Sequence, residues 1–323
     1  MDETWLRERT FDHRDFADLA ALGARKASSG LSVSVGLPTL NVAKTLGPIL
    51  DVCQGLKEES GLIDQLAIID SRSVDETVEI ALARGVEVYF DDEILPDLPP
   101  AAGKGEALWK SLAVLKGDLI IWIDSDIANF DARFIYGLLG PLLTFPEIGY
   151  IKPFYRRPLI GASGGREENE GGRVTEVCVR PLLSMFWPEL ANLIQPLSGE
   201  SGARRQILES VPFFTDYAVE VGLLVNILRR HGLFSMAQVD LEERVHTNQP
   251  LHKLGRMSFA IMQAIWRLLR EDGLVMEKPP YARRETFAVV DGRYVPVSEE
   301  IGVVERPPLA TLDIDRAGDF TEA

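Results

Sequence analysis

Two acids one residue apart close an apolar run, Asp124 and Asp126 at the end of DLIIWIDSD. If the extended conformation persists, alternation points both carboxylates the same way. Hard oxygen donors of this kind suit Mg2+ or Mn2+, which bridge diphosphate oxygens while keeping several waters. The same pair could also cap the next helix or sit solvated in a loop. Gly103-Lys104-Gly105 opens a helical pattern, and backbone N–H groups at a helix start beside a lysine make an anion site. GxxxxGK[ST] is absent, so this is no P-loop, and a glycine-flanked lysine is also a common surface turn. Gly171–Glu176 (GGRVTE) repeats the construction. Gly172 and the following amides could form a nest, Arg173 could grip a phosphate or carboxylate bidentately, and Thr175 could add a hydroxyl. A capping Thr175 beside a solvated Arg173 is the plainer alternative.

Two further groups are chemically suggestive. Glu220 lies among apolar residues just after Tyr217, following the LSGE segment Leu197–Glu200, itself expected to lead into a helix. A charge in such surroundings must be paired, so Glu220 orients a sugar hydroxyl, holds a basic side chain or acts as a base. RVHTN, Arg244–Asn248, contains one of only four histidines. A neutral His246 could complete a metal site begun by a carboxylate, or be satisfied by a loop carbonyl.

These residues need elements to hold them. Ser32–Leu37, Gln65–Asp70, Val86–Phe90 and Asp118–Asp124 read as strands. Helical patterns cover Val42–Leu56, Ser73–Arg84 and Gly105–Leu115 between them. This alternation predicts right-handed βαβ crossovers, hence an α/β fold with a mostly parallel sheet covered by helices. Ligands of such sheets bind beyond the carboxyl ends of the strands, where Leu37-Pro38, Asp70-Ser71 and Asp124–Asp126 all fall. Further on, helices are predicted over Ala132–Leu143, Arg173–Phe186, Ala203–Ser210 and Ala218–Arg230, and strands over Gly149–Tyr155 and near Phe234–Leu241. Gly161–Gly172 reads as a loop. Leu251, Leu254, Met257, Ile261, Ile265 and Leu268 recur at helical spacing and predict one long amphipathic helix. The chain then divides into an N-terminal helical extension (1–31), a nucleotide-sugar-binding half (32–150), an acceptor-binding half (151–272) with mixed strands, and a C-terminal extension (273–323).

Composition narrows the function. The 323 residues are 46% hydrophobic, enough for a sizeable core. With 34 basic against 49 acidic residues the net charge is −15, which argues against nucleic acid or an anionic membrane as partner. An anionic substrate would require basic residues gathered at one site. Cys53 and Cys178 form no zinc or disulfide pattern, and the charged N-terminus lacks a signal core, so a cytoplasmic protein is expected. No apolar run approaches the roughly 18–20 residues of a membrane span. VGLPTLN lacks the GxGxxG of a dinucleotide-binding oxidoreductase, and neither a nucleotidyltransferase loop nor the QxxRW of a processive synthase is present.

Taken in order, LPTLN (Leu37–Asn41), IDSRSVDET (Ile69–Thr77), GKGEALWKSL (Gly103–Leu112), IDSD (Ile123–Asp126), FYRRPL (Phe154–Leu159), GGRVTE, VRPLL (Val179–Leu183), QPLSGE (Gln195–Glu200) and RVHTNQP (Arg244–Pro250) resemble the bacterial glucosyl- and mannosyl-3-phosphoglycerate synthases. These are retaining glycosyltransferases of the GT-A fold, and the likeness runs from about Ser32 to Arg270. It implies that Pro38, Leu40, Ser71 and Lys104 hold the donor nucleotide, with Asp124 and Ser125 near its base or ribose. Asp126 and His246 would bind Mg2+, or Mn2+ or Co2+, on the diphosphate. Gly172, Arg173, Thr175 and Asn248 would receive 3-phosphoglycerate. Leu197 would border the transferred sugar, Tyr217 and Glu220 would orient it, and Arg244 would join Lys104 and Arg173 in meeting the anionic substrates. The resemblance further implies a soluble homodimer making precursors of compatible solutes or polysaccharides. One position departs from the pattern: glucosyl members carry an acid after the asparagine of LPxLN, and here that residue is Val42. Without that reader of uracil the expected donor is GDP-mannose, with NDP-glucose second. A strict UDP-glucose enzyme and a non-catalytic nucleotide-sugar-binding module are the alternatives.

Overall fold

Asp2 starts the first helix, α1 (Glu3–Arg9), by accepting from the Trp5 N–H at 3.0 Å. Trp5 itself is fully buried and donates its indole N–H to the Leu233 carbonyl at 3.0 Å, which ties the N-terminus to the body. The chain then forms β1 (Thr10–Asp12) and α2 (Leu19–Ser29), the latter capped by Asp18 and ended by Gly30 at φ +68°. This computed structural model describes residues 2–157, 159–160, 166–167, 172–245, 251–274, 283–290, 293–300 and 303–312.

The predicted alternation follows as β2 (Val33–Thr39), α3 (Ala43–Ser60), β3 (Gln65–Asp70), α4 (Thr77–Leu82), β4 (Glu87–Phe90), α5 (Lys104–Val114), β5 (Leu119–Trp122), α6 (Arg133–Thr144) and β6 (Tyr150–Arg156). After the short pair β7 (Leu159–Ile160) and β8 (Arg166–Glu167), a helical stretch with a π turn over Thr175–Val179 runs into α7 (Arg180–Phe186). Then come β9 (Ser201–Arg204), α8 (Arg205–Glu209), β10 (Phe213–Phe214), α9 (Val219–His231), β11 (Met236–Glu243) and α10 (Leu251–Glu271). The hairpin β12 (Arg283–Val290) and β13 (Arg293–Glu300) precedes β14 (Glu305–Arg306).

Eight of these strands make one sheet in the order β1-β11-β6-β9-β5-β2-β3-β4, and within it only β9 runs antiparallel to its neighbours. Both faces are covered, as a mostly parallel sheet requires. In β5, Leu119 and Ile121 join the cluster with Leu46, Ile49 and Leu50 of α3 and Phe134 and Leu138 of α6. Ile120 and Trp122 point the other way, into Trp109 of α5, Leu224 of α9 and Ile261 and Leu268 of α10.

Two expectations change, and the C-terminal extension, whose placement the sequence leaves open, finds one. The helix predicted over Ala203–Ser210 begins as strand β9, and α8 covers only its later part. Small residues fit between β5 and β6, where a Cβ on Gly202 would stand 2.9 Å from Ile121, and such a strand carries no β-branched signature. The N-terminal extension is not purely helical, because β1 forms an edge of the main sheet beside β11. The C-terminal extension returns to the body: β14 pairs with β10, and Leu309 is fully buried. The loop reading of Gly161–Gly172 lies outside the described residues apart from β8 and Gly172. Among the described residues no helix is long and apolar enough to cross a membrane.

Candidate active site

The turns leaving β2, β3 and β5 are tied to one another before any ligand is considered. Asp70, fully buried at the end of β3, accepts from Thr39 Oγ1 and from the Ser73 N–H, both at 2.7 Å. Ser71 donates to Asp91 at 2.6 Å, and Ser125 Oγ donates to the Pro38 carbonyl at 2.8 Å. The three strand ends thereby form one rigid rim.

A cleft of about 940 Å³ opens on that rim. It is lined by Pro38, Leu40, Ser71, Lys104, Asp124, Ser125, Asp126, Gly172, Arg173, Thr175, Leu197, Tyr217 and Glu220. Every site residue expected from the sequence is therefore in it, except His246 and Asn248, which lie outside the described residues. Glycines bring the walls together. Gly103 adopts φ +92° at the start of α5, and a Cβ on Gly105 would overlap the Phe214 carbonyl.

The centre is a chain of charges. Lys104 Nζ lies 2.5 Å from Asp124 Oδ1, 2.8 Å from the Gly199 carbonyl and 3.2 Å from Glu220 Oε1. Arg244 continues it, with Nη2 at 3.0 Å from Asp124 Oδ2 and 2.8 Å from Asp126 Oδ1, and Nε at 2.8 Å from Glu200 Oε1. Burial pushes the Asp124 carboxyl up, but the Lys104 and Arg244 charges override it and hold it well below the usual carboxylate range. Burial would likewise lower Lys104, yet Asp124 and Glu220 keep its ammonium above the ordinary lysine value. Asp126 differs: burial raises its carboxyl despite Arg244, and its side chain is 46% exposed against 21% for Asp124.

Two sequence expectations are refined here. The strand stops at Trp122, so Asp124 and Asp126 are not an extended pair but converge on one guanidinium from a turn. Arg244 lines the cleft but is not an anion receptor there: its guanidinium is spent on three carboxylates, and the residue is 3% exposed. Glu220 does hold a basic side chain, Lys104, one of the roles considered for it.

The sequence reading assigned no role to Glu200, Lys152, Gly199, Arg157 or Asp216. Glu200 is fully buried between Arg244 and the Tyr155 hydroxyl, which donates to it at 2.5 Å. Arg157 lines the cleft and its buried Nε has no hydrogen-bond partner. Asp216, at φ +55°, pairs with Arg256 of α10 at 2.8 Å. Lys152 was visible as a lysine inside an apolar strand pattern, which is a signal in itself.

Metal fit turns on Asp126. Among the described residues no three His, Cys, Asp or Glu side chains gather as a metal cluster. Asp126 nevertheless presents a half-exposed carboxylate to the cleft. One hard oxygen donor completed by diphosphate oxygens and waters is how Mg2+ is commonly held.

The chain is similar to known proteins over most of its length. The family model of glycosyl transferase family 2 fits residues 34–174. A glucosyl-3-phosphoglycerate synthase of Petrotoga mobilis is 44% identical over 309 residues, 95% of either chain. The crystal structure of mannosyl-3-phosphoglycerate synthase from Rubrobacter xylanophilus superposes with a TM-score of 0.87 at 40% identity, covering 95% of this chain and 97% of that one. Glucosyl-3-phosphoglycerate synthase from Mycobacterium tuberculosis, solved with Mn2+, UDP and glucosyl-3-phosphoglycerate, gives 0.80 at 39% identity, over 94% and 98%.

Proposed function

This chain belongs to the glucosyl- and mannosyl-3-phosphoglycerate synthases, hexosyltransferases of GT-A fold, and from that premise we propose that it transfers a hexose from a nucleoside diphosphate to the 2-hydroxyl of 3-phosphoglycerate with retention. The observation that carries this reading is the single cleft joining the Asp124–Asp126 turn, Lys104 and the Gly172–Thr175 turn. The nucleotide lies along Pro38, Leu40, Ser71 and Ser125, with Asp124 on its ribose side. Gly172, Arg173 and Thr175, with Asn248, receive the acceptor. Leu197 borders the hexose, and Tyr217 and Glu220 orient it.

Asp126 and His246 would hold a divalent cation, which supplies charge neutralisation to the diphosphate. The bond from the anomeric carbon to the β-phosphate oxygen breaks, and a bond from that carbon to the acceptor 2-oxygen forms on the same face. The acceptor proton passes to the departing phosphate. Lys104 lends positive field beside the leaving group while Asp124 and Glu220 fix its position. No carboxylate pair at glycosidase spacing is needed, because the donor is already activated.

For the donor we favour GDP-mannose, on one observation. Val42 lines the cleft next to the rim and offers no side-chain hydrogen bond there. The names and bound nucleotide of the relatives favour a second reading, UDP-glucose. A panel of GDP- and UDP-hexoses with 3-phosphoglycerate and Mg2+, with products identified by NMR, tests both. Wild type is expected to form mannosyl-3-phosphoglycerate, and Val42→Glu to shift relative kcat/KM toward UDP-glucose by about tenfold, or ~1.4 kcal/mol, for one added base contact. Strict UDP-glucose dependence in the wild type would hand the assignment to the second reading.

A further inference from the structure

Lys152 has no task in the transfer described above. It lies in β6 with 2% of its surface exposed, and an ammonium is not buried there without compensation. Its Nζ donates to the Ser198 carbonyl. The next carbonyl, Gly199, accepts from Lys104 at 2.8 Å, and the Glu200 carboxylate is held by Tyr155 at 2.5 Å and Arg244 at 2.8 Å. Three successive residues of one turn are each gripped by a different buried group. Gly199 closes the arrangement, since a Cβ there would overlap the Asp124 carboxylate. In front of the fully buried Ser198, Leu197 lines the cleft.

We propose that Lys152 is a positioning residue for the transfer: by holding the Ser198 carbonyl from behind, its ammonium sets the Leu197–Gly199 backbone against the hexose. This rests on the hexosyl-transfer reading of the cleft. Without the ammonium, the buried carbonyl loses its cationic donor and Leu197 loses its backing. A shift of about 1 Å at a reacting centre is enough to slow chemistry strongly.

The charged groups facing Lys152 are Glu220 of α9, Lys104 of α5, Glu200 of the turn itself and Asp124 beyond β5. Burial pushes the Lys152 ammonium down to about 8, with Glu220 pulling the other way. Lys104 and the buried Tyr150 and Tyr155 phenols are all held above their ordinary values. Lys152 is therefore the member of this group that loses its proton just above neutrality, and kcat should fall as it does.

The test is steady-state kinetics of the full chain, with 3-phosphoglycerate and the donor the wild type uses, across roughly pH 6–10. Lys152→Met should lower kcat about ten- to a hundredfold, leave both KM values within about threefold, and lack the alkaline fall of the wild type. Lys152→Arg keeps a charge that does not titrate in this range, so it should retain more of kcat and move the fall upward. A folded Met variant with the kcat and pH profile of wild type overturns the proposal, as does a change confined to KM. Should the Met variant not fold, an Arg variant whose alkaline fall coincides with that of wild type overturns it equally. A wild type active in the donor panel with unaffected variants sinks this inference alone, whereas a wild type without hexosyl transfer sinks the reading of the cleft as well.

Discussion

Asp124 and Asp126 look interchangeable on paper, and burial separates them. Asp124 sits between two cations, Lys104 and Arg244, so removing its carboxylate leaves both without their shared partner. Breaking a buried pair in this way costs about 3–5 kcal/mol. Asp126 is half-exposed, and Arg244 keeps Asp124 and Glu200 after its loss. A contact of that kind is worth about 0–1 kcal/mol. Asp126→Ala should therefore melt within about 3 °C of wild type yet lose divalent-dependent turnover at least about a hundredfold. Asp124→Ala should show its effect first in the melt. Parallel melting curves and assays at saturating Mg2+ check the contrast, and an active Asp126→Ala enzyme would remove Asp126 from the metal.

At the scale of elements, the cleft walls are held by a strand far away in sequence. Arg306 of β14 makes a two-pronged pair with Glu106 of α5, at 2.7 and 2.8 Å, and both side chains are nearly inaccessible. Trp109 of the same helix donates to the Pro307 carbonyl at 3.0 Å, and Val304 exchanges hydrogen bonds with Thr215, two residues before Tyr217. The C-terminal segment thus braces both α5, which carries Lys104, and the approach to α9, which carries Glu220. Arg306→Met should lower unfolding stability by up to about 3 kcal/mol, the low end for a broken buried pair, because Glu106 loses its two-pronged partner and keeps only Lys110 at 3.5 Å. Adding Glu106→Gln should recover part of that loss, since the unpaired carboxylate is removed while the buried Lys110, 3.5 Å from it, gives up that partner and keeps the Asp91 carbonyl. Denaturant titration of the two single variants and the double variant measures the coupling. A double variant as unstable as the sum of the single ones would mean the two side chains act separately.

Across the whole molecule, an acidic surface surrounds a balanced cleft. Lys104, Arg157, Arg173, Arg244 and Arg256 face Asp91, Asp124, Asp126, Asp216 and Glu220 on its lining, while the chain as a whole carries −15. Basic residues are enriched at the site, as an anionic substrate in an acidic protein demands, but they do not outnumber the acids. Approaching anions therefore meet a repulsive outer field. Raising ionic strength from about 10 to about 150 mM shortens the screening length from roughly 30 to roughly 8 Å. At constant Mg2+, kcat/KM for both substrates should rise over that interval. A fall would show that the cleft attracts anions from a distance.

The sequence by itself determined the periodic elements and the rim. Short apolar runs mark β2, β3 and β5, the segments at their carboxyl ends carry Pro38, Ser71 and Asp124, and the GGRVTE and QPLSGE segments carry the family likeness. Such features are local, written in residues that are neighbours along the chain. Tertiary structure alone decided which charge neutralises which. That Arg244 serves three carboxylates, that Lys152 backs Ser198, and that Arg306 reaches Glu106 depends on residues 44 to 200 positions apart meeting in a low-dielectric interior. The strand β9 was hidden for a related reason, because Ser-Gly-Ala-Arg has no strand preference of its own and is extended only where β5 and β6 leave a slot too narrow for larger side chains.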